Sequence, residues 1–129
     1  MGETMSEGDG RSIAQIRGIG GLEIDEPLEL LGGEDAFWMA LEDYYRVIAR
    51  KAELIRRCYE QKDWKRYCIE VHALKSASRQ IGALELAELA ASLEAASREE
   101  EQGTIEAHHA DMLEHYREYE RLLSPFFGQ

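Results

Sequence analysis

Between Glu34 and Ser124 the chain contains no proline and only two glycines, Gly82 and Gly103. A stretch this long without breakers, rich in Ala, Leu, Glu and Arg, is predominantly helix. No segment has the strict alternation of a half-buried strand, so the fold class is all-α. The remaining breakers and polar turns divide the stretch. Asp25-Glu26-Pro27 supplies a cap, an acidic first turn and an early proline for a short helix that Gly32-Gly33 ends at Leu31. A long helix follows over about 34–60, with Phe37, Leu41, Tyr44, Tyr45, Ile48, Ala52, Ile55 and Tyr59 at spacings of three and four. Gln61-Lys62-Asp63 is a turn, and Asp63 caps a second long helix that Gly82 breaks after Ile81. A third carries Leu84, Leu86, Leu89, Ala90, Leu93 and Ala96 and fades at Glu99-Glu100-Glu101, a solvated acidic end. Thr104 can cap a fourth, which Ser124-Pro125 ends, with Phe126 and Phe127 folding back over one end. Four long helices with short links predict an antiparallel four-helix bundle preceded by a short extra helix.

Eight of the 11 glycines fall in the first 33 residues. Residues 1–21 are small, polar and weakly periodic, and read as a mobile leader or linker remnant ahead of a bundle domain over 22–129. The chain of 129 residues fits one domain. Its 26 Asp and Glu against 15 Lys and Arg leave a net charge of −11. Binding to nucleic acid or to anionic lipid needs the opposite sign, so neither is expected. No apolar run approaches the roughly 18 residues of a membrane helix. No basic segment with an apolar run marks a secretory signal either, so a cytoplasmic setting is the default and a monomer is expected. Met1-Gly2-Glu3-Thr4-Met5-Ser6 matches a myristoylation pattern, but nothing basic follows to reinforce an anchor. Cys58 and Cys68 are too few for a disulfide framework or a zinc site and read as reduced packing residues.

The second long helix has more than a core face. At roughly 100° per residue, Trp64, Tyr67, Cys68, Val71, Leu74 and Ile81 form one apolar stripe. His72 lies well off that stripe, with Ser76 one turn later, Arg79 two turns on, and Lys75 between His72 and the core. One ribbon thus carries an imidazole, a small hydroxyl and two cations. A neutral imidazole is a good nucleophile near pH 7, since its ordinary pKa is roughly 6.5. Lys75 and Arg79 would meet the oxygens of a phosphoryl group on a ring nitrogen, and small Ser76 leaves room for a partner. Ribbons of this kind are more commonly plain solvated helix faces, and spacing alone does not separate the two.

The run Val71-His72-Ala73-Leu74-Lys75-Ser76-Ala77-Ser78-Arg79-Gln80-Ile81-Gly82-Ala83 closely resembles the signature of histidine-containing phosphotransfer domains. That family has a His, a Leu two on, a Lys three on, a Gly or Ser four on, and a Gly-Ala pair ten and eleven on. Leu86-Ala87-Glu88-Leu89-Ala90-Ala91-Ser92-Leu93-Glu94 is similar to its following helix, and Leu30-Leu31-Gly32-Gly33-Glu34 to its lead-in segment. The similarity covers about residues 24–124, and Ser76 stands where many members carry Gly. The resemblance implies that His72 accepts a phosphoryl group from a receiver-domain aspartate and passes it to another receiver's aspartate. Lys75 would be the charge partner, and Ser76 and Gln80 lesser contributors beside the ring. The partners implied are receiver domains, with a hybrid sensor histidine kinase in the same or another chain. The implied magnesium sits in the receiver's acidic pocket, so no cofactor of this chain's own is expected. Nothing resembles a nucleotide-binding loop, so autonomous kinase activity is not expected.

Two other readings compete. A di-metal carboxylate bundle needs Glu-x-x-His on two helices, and only Glu106 and His109 have that spacing. His108, His109 and His115 are then solvated or partly packed residues of the last helix. The second alternative is a docking module without chemistry, which would use the apolar and small residues flanking His72 on the first two long helices.

Overall fold

The computed structural model describes residues 12–128. Its helices are α1 (Ile13–Ile16), α2 (Asp25–Leu31), α3 (Glu34–Glu60), α4 (Trp64–Ile81), α5 (Leu84–Arg98) and α6 (Gln102–Phe127), with a 3-10 turn at Ile19–Gly21. The described residues contain no strand. Each of α3 to α6 packs on its sequence neighbour, α6 closes the ring against α3, and α2 lies against α3. This is the expected all-α four-helix bundle with short helices ahead of it. No described helix is long and apolar enough to cross a membrane.

The expected leader divides between described and undescribed residues. Residues 1–11, with the myristoylation pattern, lie outside the described ones. Beyond them, α1 is capped by the Ser12 side chain on the Gln15 amide, and its Ile16 is fully buried. Leu22 and Ile24 join the same core, while Tyr119 donates its hydroxyl to the Gly20 carbonyl at 2.6 Å. This segment therefore seals one end of the bundle.

The links between helices share one device. Gly33 N–H bonds the Leu28 carbonyl, Asp63 that of Cys58, Ala83 that of Ser78 and Glu101 that of Ala96, all at 2.8 or 2.9 Å. In each case the residue before the donor is left-handed: Gly32, Lys62, Gly82 and Glu100. These are Schellman ends, which satisfy orphan carbonyls and reverse the chain within a few residues. Glycine fills two of the four, and a lysine and a glutamate accept the strained conformation at the others.

Those ends correct three details of the sequence reading. Ile24, not Asp25, occupies the cap position of α2, while Asp25 is the first helical residue and pairs with Arg17. The α5–α6 reversal is made by Glu100, so α6 begins at Gln102 with Gly103 and Thr104 inside its first turn, and Thr104 caps nothing. Nor does Pro125 stop α6, which runs on to Phe127. Proline removes one backbone donor. Burial of Phe127 against Trp38 and Tyr45, with Phe126 beside Trp38, outweighs that loss in the last turn.

The core is aromatic on the α3–α6 side, where Tyr44, Tyr116 and Tyr119 meet edge to face. It also contains a histidine. His109 was expected to be solvated or partly packed, yet it is buried, stacked on Tyr59 at 3.8 Å and hydrogen-bonded through Nδ1 to the Tyr67 hydroxyl at 2.8 Å. Burial, with help from Arg117 and against the pull of Glu60, lowers its pKa from 6.5 to about 4.

Two predictions follow from these observations. Because His109 is held neutral, its contribution to stability is complete above pH 6.5 and fades as pH falls through 6.5 toward 4. Thermal melts followed by circular dichroism should show Tm dropping over that window, and His109→Gln should flatten the drop. At the helix ends, Glu100→Gly should raise stability by about 1 kcal/mol by relieving a left-handed side chain. Gly82→Ala should lower it by more than that, because the added Cβ would meet the Glu23 carbonyl oxygen at 2.2 Å.

Candidate functional site

Helix α4 is rotationally locked. Tyr67, Val71, Leu74, Ser78 and Ile81 are its buried residues, at alternating spacings of four and three. Ser78 is the polar member of that set and is buried because the Tyr44 hydroxyl bonds its Oγ at 2.8 Å. Asp63 fixes the helix start by accepting from the Arg66 amide, and Gly82 fixes its end. With Val71 fully buried, its neighbour His72 is carried round toward solvent, and 56% of the His72 side chain is exposed. Lys75 is mostly covered, whereas Ser76, Arg79 and Gln80 are exposed.

Helix α5 supplies a residue that sequence reasoning did not assign. The Glu94 side chain is only 8% exposed and points across the α4–α5 seam. Its Oε2 lies 2.7 Å from His72 Nδ1 and 2.8 Å from an Arg98 nitrogen, and its Oε1 lies 2.7 Å from Lys75 Nζ. Burial alone would push this carboxyl's pKa up, but hydrogen bonds from Lys75 and then His72 outweigh it and hold it below the usual carboxylate value. The Glu94 main-chain carbonyl is also engaged, by Ser97 Oγ at 2.9 Å and Cys68 Sγ at 3.7 Å.

Chemistry follows from the acceptor. An ionised carboxylate can only accept hydrogen bonds, so in the neutral ring Nδ1 carries the proton. The lone pair then belongs to Nε2, the other ring nitrogen, which leaves it free to act as a nucleophile on an exposed ring. No hydrogen bond or ion pair among the described residues joins Lys75 to His72; both meet the same carboxylate. The structure thus brings His72 and Lys75 together, while no hydrogen bond or ion pair among the described residues joins Ser76, Arg79 or Gln80 to them. Arg79 instead lines a groove with Pro27, Leu30, Leu31 and Leu84 at the α2 end of the helix. A second groove runs between α3 and α4, floored by Val47, Ala73, Leu74 and Ala77. Among the described residues no three His, Cys, Asp or Glu side chains cluster as metal ligands do.

A family model for the Hpt domain matches residues 35–122, a span that holds the His72, Lys75, Glu94 and Arg98 cluster. The chain belongs to the Hpt domain family. Hpt domains serve histidine phosphotransfer in phosphorelays, as transfer intermediates rather than kinases, and they interact with receiver domains. No curated protein and no solved structure matches this Hpt chain.

Glu94 was legible only as a faint signal. Ala87, Ala90, Glu94 and Ser97 recur at helical spacing on the side that meets α4, and a glutamate there is out of keeping with its apolar neighbours. The geometry makes a direct prediction: long-range proton–nitrogen spectra of this Hpt domain should show the neutral His72 ring protonated at Nδ1 only. In Glu94→Ala the two tautomers should both be populated, with the helical circular dichroism retained.

Proposed function

We propose that His72 is the phosphoacceptor of this Hpt domain and that it relays a phosphoryl group between receiver aspartates. The observation that carries the reading is the hydrogen bond from His72 Nδ1 to Glu94, which leaves Nε2 unprotonated on an exposed ring. In the forward step Nε2 attacks the phosphorus of a receiver's aspartyl phosphate. The N–P bond forms, the acyl O–P bond breaks, and the aspartate leaves as a carboxylate. The Nδ1 proton stays where it is, so the ring needs no tautomer change on either side of the transfer. The return step delivers the group to the aspartate of a second receiver.

The remaining roles follow from position. Lys75 offsets the Glu94 charge beside the phosphoryl group, and Ser76 keeps the approach to the ring open. Arg79 and Gln80, further along the exposed side of α4, offer donors to the incoming receiver. The small floor of the α3–α4 groove, Ala73 and Ala77, allows a receiver helix to come close to the main chain. Magnesium belongs to the receiver's acidic pocket, and this chain contributes a positioned nucleophile on a rigid helix.

The test uses candidate receiver domains charged with acetyl phosphate and magnesium. Mixed with this protein, a productive receiver should transfer label to an acid-labile, base-stable phosphate on the chain. His72→Gln should abolish the transfer, and Glu94→Ala should slow it about tenfold by loosening the ring. Undiminished labelling of His72→Gln would sink the assignment. Binding of receivers without any labelling of the wild type would favour a docking module instead.

A further inference from the structure

We propose that the groove between α3 and α4 binds a neutral, mainly apolar small molecule with one oxygen acceptor, which takes a hydrogen bond from the Tyr116 hydroxyl. The site is independent of what His72 does.

Buried tyrosines in this bundle commit their hydroxyls inside the fold. Tyr44 meets Ser78 Oγ at 2.8 Å, Tyr67 meets His109 Nδ1 at 2.8 Å, and Tyr119 donates to the Gly20 carbonyl at 2.6 Å. Tyr116 differs. It is 3% exposed and packs edge to face on Tyr44 at 5.7 Å, yet no hydrogen bond among the described residues engages its hydroxyl. Nor is that oxygen sealed in, because no fully enclosed side-chain oxygen or nitrogen among the described residues lacks a partner. Tyr116 lines the α3–α4 groove, so its hydroxyl opens there. Burial raises its pKa, Arg50 counters the rise and Glu70 adds to it, so the group stays protonated near a carboxylate that walls the same groove. A donor in an apolar setting weakens the fold unless something from outside meets it.

The groove encloses about 380 Å³. That is within the range of roughly 300–1,000 Å³ typical of small-molecule sites. Its middle is apolar, with Val47, Leu74 and Ala77, and its ends are polar, with Asp43 and Gln80 at one and Lys51 and Glu70 at the other. Glu70, its side chain 10% exposed, is already matched by Lys51 at 3.5 Å and Arg66 at 3.7 Å. An anion would therefore face Glu70 and Asp43, and a cation would compete with Lys51 for Glu70. The Tyr116 hydroxyl is the group left to orient a guest, which makes an uncharged molecule with a single oxygen the best match. The plainer reading is that water alone meets the hydroxyl.

Three naphthalene probes separate these cases: neutral 1-naphthol, the anion 1-naphthoate and the cation 1-naphthylmethylammonium. Titrated into the wild type, 1-naphthol should saturate with a Kd below about 1 mM, shift the amide signals of Val47, Leu74 and Ala77 in proton–nitrogen spectra, and bind more tightly than either ion. Tyr116→Phe keeps the ring and should bind 1-naphthol about fivefold more weakly. In the free protein this variant should melt no lower than wild type, because no internal hydrogen bond is lost. Tyr44→Phe should melt lower, because Ser78 loses its partner. No saturable binding of 1-naphthol would overturn the proposal and leave the groove to water or to a receiver side chain. Shifts confined to another face, equal binding by Tyr116→Phe, tighter binding of either ion, or a lowered Tm in Tyr116→Phe would each overturn it as well.

Discussion

A carboxylate placed between two packed helices stays ionised only if donors surround it, because burial penalises the charged form. Glu94 meets that condition with Lys75 on one oxygen and His72 and Arg98 on the other. Everything distinctive about the site derives from this arrangement. The carboxylate selects the His72 tautomer, holds the ring plane, and draws two cations to the edge of the imidazole. Removing any one donor would leave the others with a partly unmet charge, so the four side chains act as a unit more than as separate contacts.

For Glu94 to reach His72, α4 and α5 must sit in one register, and most of the bundle's local chemistry serves that end. Tyr67, Val71, Leu74, Ser78 and Ile81 leave α4 a single way to face the core. The Tyr44–Ser78 hydrogen bond fixes the same rotation from α3. Gly82 sets the reversal into α5, and the chain before α2 presses on it there: the Gly82 carbonyl accepts from the Glu23 amide at 3.0 Å, and a Cβ at Gly82 would collide with the Glu23 carbonyl. Short Schellman ends keep the neighbouring helices antiparallel and close, so a side chain of glutamate length spans the seam.

Much of this could be read from the chain. Helix positions over α2 to α5, the Asp63 cap, the break at Gly82 and the outward direction of His72 all follow from periodicity and breakers, which are local. What failed to show was non-local or ambiguous in kind. Ser78 looks like a surface residue until the Tyr44 hydroxyl arrives from another helix. Glu94, within a run of Leu, Ala, Ser and Glu, has the composition of a solvated helix; its spacing from Ala87, Ala90 and Ser97 sets it faintly apart from Glu88, and contact with α4 decides its role. Glu100 makes the turn that Gly103 advertises, because a Schellman end accepts a strained glutamate when the hydrogen bonds around it are good. Pro125 reads as a stop, but the burial of Phe127 carries the helix past it.

The two histidines that matter show how one bundle gives a single side chain opposite characters. His109 lies under Tyr59 and against the Tyr67 hydroxyl, where burial suppresses its charge and removes it from reach of any partner. His72 keeps its outer nitrogen in solvent while its inner nitrogen is engaged by a carboxylate. A nucleophile needs both conditions at once: access for the reacting atom and a fixed proton on the other. Complete burial would satisfy only the second, and full exposure on a solvated ribbon only the first. The edge of the α4–α5 seam offers both, so the proposed acceptor's character depends on α5 as much as on the helix that carries it.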